Sequence, residues 1–224
     1  MNNTITLCIL NYYEDWLIVR AISQAYDFVD EIVIGDTSRG KDMLPEVVKG
    51  LSKVQIVPNP GFDEGSKFSW AKWRNYVQSY ASSDWILWQD PDEIYPYGML
   101  KNLRSWLEET DAEAVGFFRV AYETHQRKIV RNKETKIRLW KNIPSIRWMG
   151  DIHECPRGFS SQELWEVEYA HDINWLPSFP QRIVKLLKRE ERGNIIDRIK
   201  ANDLDPYRNL VEGQDIDEVL RSRE

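Results

Sequence analysis

The chain has 224 residues, 42% of them hydrophobic and 29% charged, with a formal net charge of −6. That length and balance describe one globular domain with room for a small appendage, and they exclude disordered, collagen-like and disulfide-stapled classes. The acidic balance disfavours generic binding to a nucleic-acid backbone, which needs clustered lysine and arginine. Cys8 and Cys155, the only cysteines, form no paired framework, and Met1 to Leu10 lacks the basic start and apolar core of a signal peptide. No apolar run approaches the roughly 20 residues that span a bilayer. The expectation is a cytoplasmic protein with at most peripheral contact at the inner face of a membrane.

In chain order, Thr4 to Leu10 is an apolar run that reads as a buried strand. Glu14 to Tyr26 follows with Leu17, Ile18, Ala21, Ile22 and Ala25 at helical spacing. Asp30 to Asp36 reads as a second strand, Asp42 to Leu51 as a helix, and Val54 to Val57 as a third strand. The stretch from Pro58 to Ser66, rich in Pro and Gly, is a loop. Lys67 to Ala81 reads as a helix and Asp84 to Gln89 as a fourth strand, ending in the turn Asp90-Pro91-Asp92-Glu93. This alternation predicts an α/β fold with a parallel sheet covered by helices on both faces.

The second half changes character. A helix over Met99 to Glu109 is followed by strand-like runs at Glu113 to Val120, Lys136 to Trp140 and Leu164 to Ala170. These read as mixed or antiparallel additions at the sheet edge. Gln181 to Lys200 reads as a charged amphipathic helix, and the residues after about Asp203 as a polar tail.

Ligands of open α/β sheets bind outside the carboxyl ends of the strands. Asn11 and Tyr12, Asp36, and the Asp90 to Glu93 turn occupy such positions. Three carboxylates in four residues repel one another, and a hard divalent cation with oxygen ligands is one way to compensate them. By composition alone the same residues make an ordinary acidic turn. Asp36 is suited to a ribose or base and equally to a local turn beside Thr37 and Ser38. His153-Glu154 and His171-Asp172 each pair an imidazole with a carboxylate, a metal ligand or a general base, although a lone His is more often structural. His125 lies in a polar stretch and reads as surface. Arg74 is either a phosphate or sugar contact or a solvated helical residue. Trp70 and Trp73, on one helical face, read as packing. Cys155 precedes Pro156 and is steered to extended backbone, which places Glu154 at a loop or strand end.

Taken together, these segments resemble glycosyltransferase family 2, with its nucleotide-sugar-binding GT-A fold, and most closely the small bacterial and viral branch of TPR-domain glycosyltransferases. ITLCILNYYED resembles the family's opening strand and turn, VDEIVIGDTS its second strand, and FSWAKWRNYVQSYASSDWILWQDPDE its helix, strand and Asp-X-Asp block. RLWKNIPSIRWMGDIHE resembles the branch's downstream Ile-His-Glu motif. No TPR repeats are present in this sequence.

The resemblance implies an inverting transfer of a sugar from a nucleotide-sugar donor, a UDP-sugar, to an acceptor hydroxyl. It maps Tyr12, Asp36, Arg74 and Asp90 onto nucleotide contacts. Asp90 and Asp92, with His171 or else His153, map onto the site of Mn²⁺ or Mg²⁺. Glu154 is the implied base and Asp151 the reserve. A saccharide or lipid-linked saccharide is the implied acceptor. The implied organisation is a single domain over 1–202, with a nucleotide-binding half 1–95 and an acceptor-side half 96–202, followed by the tail 203–224. Two other classes stand beside it: a nucleotidyltransferase, disfavoured because NYYED follows the first strand where that class carries a Gly-rich basic loop, and an inactive nucleotide-sugar-binding module, disfavoured by the intact DPDE and IHE motifs.

Overall fold

The computed structural model describes residues 3–11, 15–37, 46–60, 69–123, 128–150 and 154–172. The first half runs β1 (Ile5–Asn11), α1 (Asp15–Ala25), β2 (Glu31–Asp36), α2 (Glu46–Lys49), β3 (Val54–Val57), α3 (Trp70–Gln78) and β4 (Trp85–Trp88). The second runs β5 (Glu93–Ile94), α4 (Tyr97–Glu109), β6 (Ala114–Glu123), β7 (Lys128–Lys141), β8 (Arg147–Met149), β9 (Cys155–Arg157) and β10 (Gln162–Asp172). The expected alternation holds. The expected helix over Asp42 to Leu51 is described only as α2, and part of the Pro58 to Ser66 loop, Lys67, the Gln181 to Lys200 helix and the tail lie outside the described residues.

One eight-stranded sheet has the order β3-β2-β1-β4-β7-β6-β10-β5, and β8 pairs with β9 in a separate hairpin. β1, β2, β3 and β4 are mutually parallel, β7 is antiparallel to both β4 and β6, and β10 is parallel to β6. The later strands therefore extend the sheet beyond β4, as mixed additions.

β1 is buried at every position because both faces are covered. Ile5, Leu7 and Ile9 point into a cluster with Ile18, Ile22 and Leu103 from α1 and α4, while Cys8 and Leu10 meet Trp73 and Val77 of α3 on the other face. Ser69 caps α3 and accepts from Lys72 N at 3.4 Å. α3 lies so close to the sheet that a Cβ at Gly35 would come within 2.2 Å of Val77 Cγ2.

The sheet cannot be flat. Four strand spacings of about 4.8 Å put β5 roughly 19 Å from β4 in a flat sheet. Trp88 and Glu93 are only five residues apart, a reach of at most about 18 Å fully extended. The link is in fact a tight turn, with Glu93 N donating to Asp90 O at 2.9 Å. The sheet therefore curls until its far edge returns over the end of β4, where Tyr95 Oη donates to Trp88 O at 2.5 Å. Among the described residues no helix is long and apolar enough to cross a membrane.

The packing predicts opposite effects for two glycines. Gly35→Ala should cost about 1–3 kcal/mol by overpacking against Val77. Gly98→Ala, in the first turn of α4 with nothing within 4 Å of its Cβ position, should be neutral or stabilising. Urea unfolding of both variants checks the pair.

Candidate active site

Four elements meet at one end of β4. β4 delivers Trp88, Gln89 and the acidic turn, and α3 supplies Arg74. β7 supplies Arg138, and the hairpin β8–β9 supplies Trp148 and, at its edge, Glu154. α3 grips the hairpin directly. Asn75 pairs with the backbone of Trp148 in both directions, donating to its carbonyl at 2.9 Å and accepting from its N–H at 2.8 Å. Gln78 Nε2 donates to Ile146 O at 2.8 Å.

Arg74 is not a solvated helical residue. Its side chain is 11% exposed, with Nη1 donating to Asp90 Oδ1 at 2.7 Å and Nε to Glu154 Oε1 at 2.8 Å. Its guanidinium lies 4.9 Å from the Trp88 ring centre and 4.6 Å from that of Trp148, so two indoles flank it. Burial works against its charge, but Asp90 and Glu154 outweigh that and raise its pKa.

The carboxylate of Asp90 is held on both oxygens. Oδ1 also accepts from Trp88 Nε1 at 3.1 Å, and Oδ2 accepts from Arg138 Nη2 at 3.0 Å. Burial pushes this carboxyl up, but Arg74 and Arg138 together hold it well below the usual carboxylate range. Much of the compensation that the three-carboxylate turn requires therefore comes from two arginines of the chain itself. Arg138 was passed over in the sequence because it sits inside an apolar strand pattern. Its signal was the charge itself, at a position flanked by Ile137, Leu139 and Trp140.

Glu93 is the buried member of the turn, 1% exposed. Its carboxylate accepts from Arg138 Nε at 3.1 and 3.2 Å, from Arg138 Nη2 at 2.5 Å, from Tyr169 Oη at 3.3 Å and from the backbone N–H of Asp90 at 3.1 Å. Burial raises its pKa, Arg138 opposes that rise, and the neighbouring Asp90 adds to it.

Asp92 is half-buried in the turn. His171 is described in its backbone, which pairs opposite Glu93 and so runs beside the acidic turn. Asp36 ends β2 in register with Asn11, whose Nδ2 lies 3.5 Å from its Oδ1. Thr37 ties the same two strand ends together by donating from its N–H and Oγ1 to Asn11 O at 3.1 and 2.9 Å. Trp73 is fully buried and Trp70 packs beside it, as expected of packing residues. Tyr12, His125, Asp151 and His153 lie outside the described residues.

The Glu93–Arg138 pair sets a prediction. Arg138→Leu leaves Glu93 buried without its cation and should cost about 3–5 kcal/mol. Removing Arg138 raises the Glu93 pKa further, and a carboxyl raised in the fold stabilises below its unfolded pKa and loses that contribution as pH rises. The deficit should thus be smaller at about pH 5 than at about pH 8, as read by urea unfolding at the two values.

The model of the family described as "Glycosyl transferase family 2" matches residues 7–163. A TPR repeat-containing protein of Synechococcus elongatus is 29% identical over 150 residues, covering 67% of this chain and 34% of that protein. The crystal structure of S. aureus TarS 1–349 in complex with UDP-GlcNAc matches with a TM-score of 0.55 at 12% identity, covering 75% of this chain and 58% of that one. The complex of the same fragment with UDP gives 0.55 at 11% identity, covering 76% and 60%. The chain thus spans about a third of the length of its curated relative and under two thirds of the TarS fragment. At such identity the TarS structures show the fold, a GT-A arrangement of the mostly parallel sheet. With the family match running from the first strand into the last, the chain belongs to glycosyl transferase family 2.

Proposed function

We propose that this domain transfers a sugar from a UDP-sugar to the hydroxyl of a saccharide or lipid-linked saccharide, with inversion at the anomeric carbon. The observation that carries the reading is the Asp90–Glu93 turn at the carboxyl end of β4, tied through Arg74 to Glu154. It lies where the ligand crevice of a parallel α/β sheet opens. The UDP and UDP-GlcNAc complexes of TarS support the choice of donor.

The residues divide the work by position. Asp36, at the end of β2, and Tyr12, the next residue in sequence after β1, take the nucleoside. Asp90 also holds Arg74 in place, with three N–H donors engaging its oxygens while its side chain stays 24% exposed. Asp90 and Asp92 are the carboxylates for Mn²⁺ or Mg²⁺, with His171, or else His153, completing the set. Such ions are commonly held by one or two carboxylates plus substrate phosphates, so the hard oxygens of this turn fit without a complete protein cage. When bound, the ion acts as a Lewis acid for the departing diphosphate. Glu154 accepts the proton of the acceptor hydroxyl. Its Oε1 accepts from Arg74 Nε at 2.8 Å, which fixes the carboxylate. Asp151 is the reserve base.

Two measurements test this. Calorimetry of UDP with and without Mn²⁺ should show affinity that the ion strengthens, and Asp92→Asn should lose the strengthening while remaining folded. Unchanged affinity in that variant removes Asp92 from the metal site. Glu154→Gln keeps an oxygen for Arg74 but not a base, so sugar transfer or slow donor hydrolysis should fall by about 10²–10⁴-fold with UDP affinity retained. Normal turnover there, with Asp151→Asn inactive, assigns the base to Asp151.

A further inference from the structure

The geometry points to Arg138 as a positioning residue that fixes the carboxylate of Asp90, and through it Arg74. Its partners are unequal. Glu93 is 1% exposed and cannot meet a ligand, whereas the Asp90 side chain is 24% exposed. Arg138 itself is 7% exposed. It is anchored by the buried partner and in turn holds the accessible one.

The anchor is rigid. Two nitrogens of the guanidinium engage the Glu93 carboxylate, and that carboxylate also accepts from Tyr169 of β10. One of those nitrogens, Nη2, also donates to Asp90 Oδ2. Arg74 and Trp88 pin Oδ1, so the Arg138 bond is what removes the remaining rotation of the carboxylate. A planar fork can serve two carboxylates in fixed geometry, and a lysine ammonium on its flexible stem cannot reproduce that arrangement. The chain of contacts runs Tyr169, Glu93, Arg138, Asp90, Arg74, Glu154, from the last long strand of the sheet to the β8–β9 hairpin. The inference rests on the proposed function for its consequence in turnover, but not for the contact itself.

The competing account is that Arg138 only neutralises Glu93. The double variant Glu93→Gln/Arg138→Gln separates the two, since it removes both buried charges and keeps hydrogen-bonding groups at both positions. The deciding readout is the indole N–H resonance of Trp88, which reports its bond to Asp90 and is assigned by its loss in Trp88→Phe. The double variant and Arg138→Lys should both shift that resonance in the direction seen for Asp90→Asn. Hydrolysis of UDP-GlcNAc, used as the probe donor, should fall about tenfold to a hundredfold with little change in KM, the size of effect expected from misplaced groups. A double variant or a Lys variant with the wild-type Trp88 resonance and wild-type turnover overturns the inference. Should the wild-type protein fail to bind UDP, the proposed function falls, while the Trp88 resonance still decides the role of Arg138.

Discussion

Everything at this site depends on how three neighbouring carboxylates are kept together at the end of one strand. Asp90 and Glu93, the partly and the fully buried members, are costly to keep charged side by side unless cations meet them. Arg138 reaches in from β7 to bridge Glu93 and Asp90, and Arg74 reaches in from α3 to bridge Asp90 and Glu154. Because each guanidinium touches two carboxylates, no carboxylate in the chain can move without moving its neighbour. A buried ion pair is weak evidence for net stability, but breaking one side of it is costly, and that asymmetry favours a single arrangement.

The aromatic residues make that arrangement strong. Trp88, Trp140 and Trp148 pack on one another, with Trp88 and Trp140 stacked at 6.4 Å and Trp88 and Trp148 edge-on at 4.9 Å. Two of these rings flank Arg74. They exclude water from the guanidinium while their faces attract its charge, so the bonds to Asp90 and Glu154 are worth more than they would be at a surface. Two of the chain's ten tryptophans thus case an arginine that bonds to a carboxylate 80 positions away in the chain. The buried Glu93 is served in the same way by Tyr169 and Tyr95, which pack on each other at 5.2 Å.

The scaffold is shared with family 2 glycosyltransferases, and the match extends over most of the described sheet. The curl of that sheet is what turns a family scaffold into a site. It folds the short strand β5 back over β4, so that the backbone of His171 on β10 runs opposite Glu93, and the hairpin β8–β9 is held against α3 by Asn75 and Gln78. Arg74 and Glu154 then share one network, although they lie 80 positions apart in the sequence.

The alternation of strands and helices up to Trp88 was legible because local periodicity decides it. β1 and β2 are short apolar runs and α1 carries its apolar residues at helical spacing, so each declares its state without its neighbours. The position of Asp36 and of the acidic turn at strand ends followed from the same pattern. The two-residue strand β5 and the hairpin β8–β9 were not legible, because they are too short to show a period and exist only through their pairing. The partners of Arg74 were equally hidden, since Glu154 lies 80 positions away. Arg138 looked like one charge in an apolar strand, and only the antiparallel pairing of β7 with β4, which sets Leu139 opposite Leu87, places it beside the turn that carries Asp90 and Glu93. The sequence by itself determined which residues could bear charge and where the strands end; tertiary structure alone decided which charges meet, because long-range ion pairs depend on the path of the chain and leave no trace in local spacing.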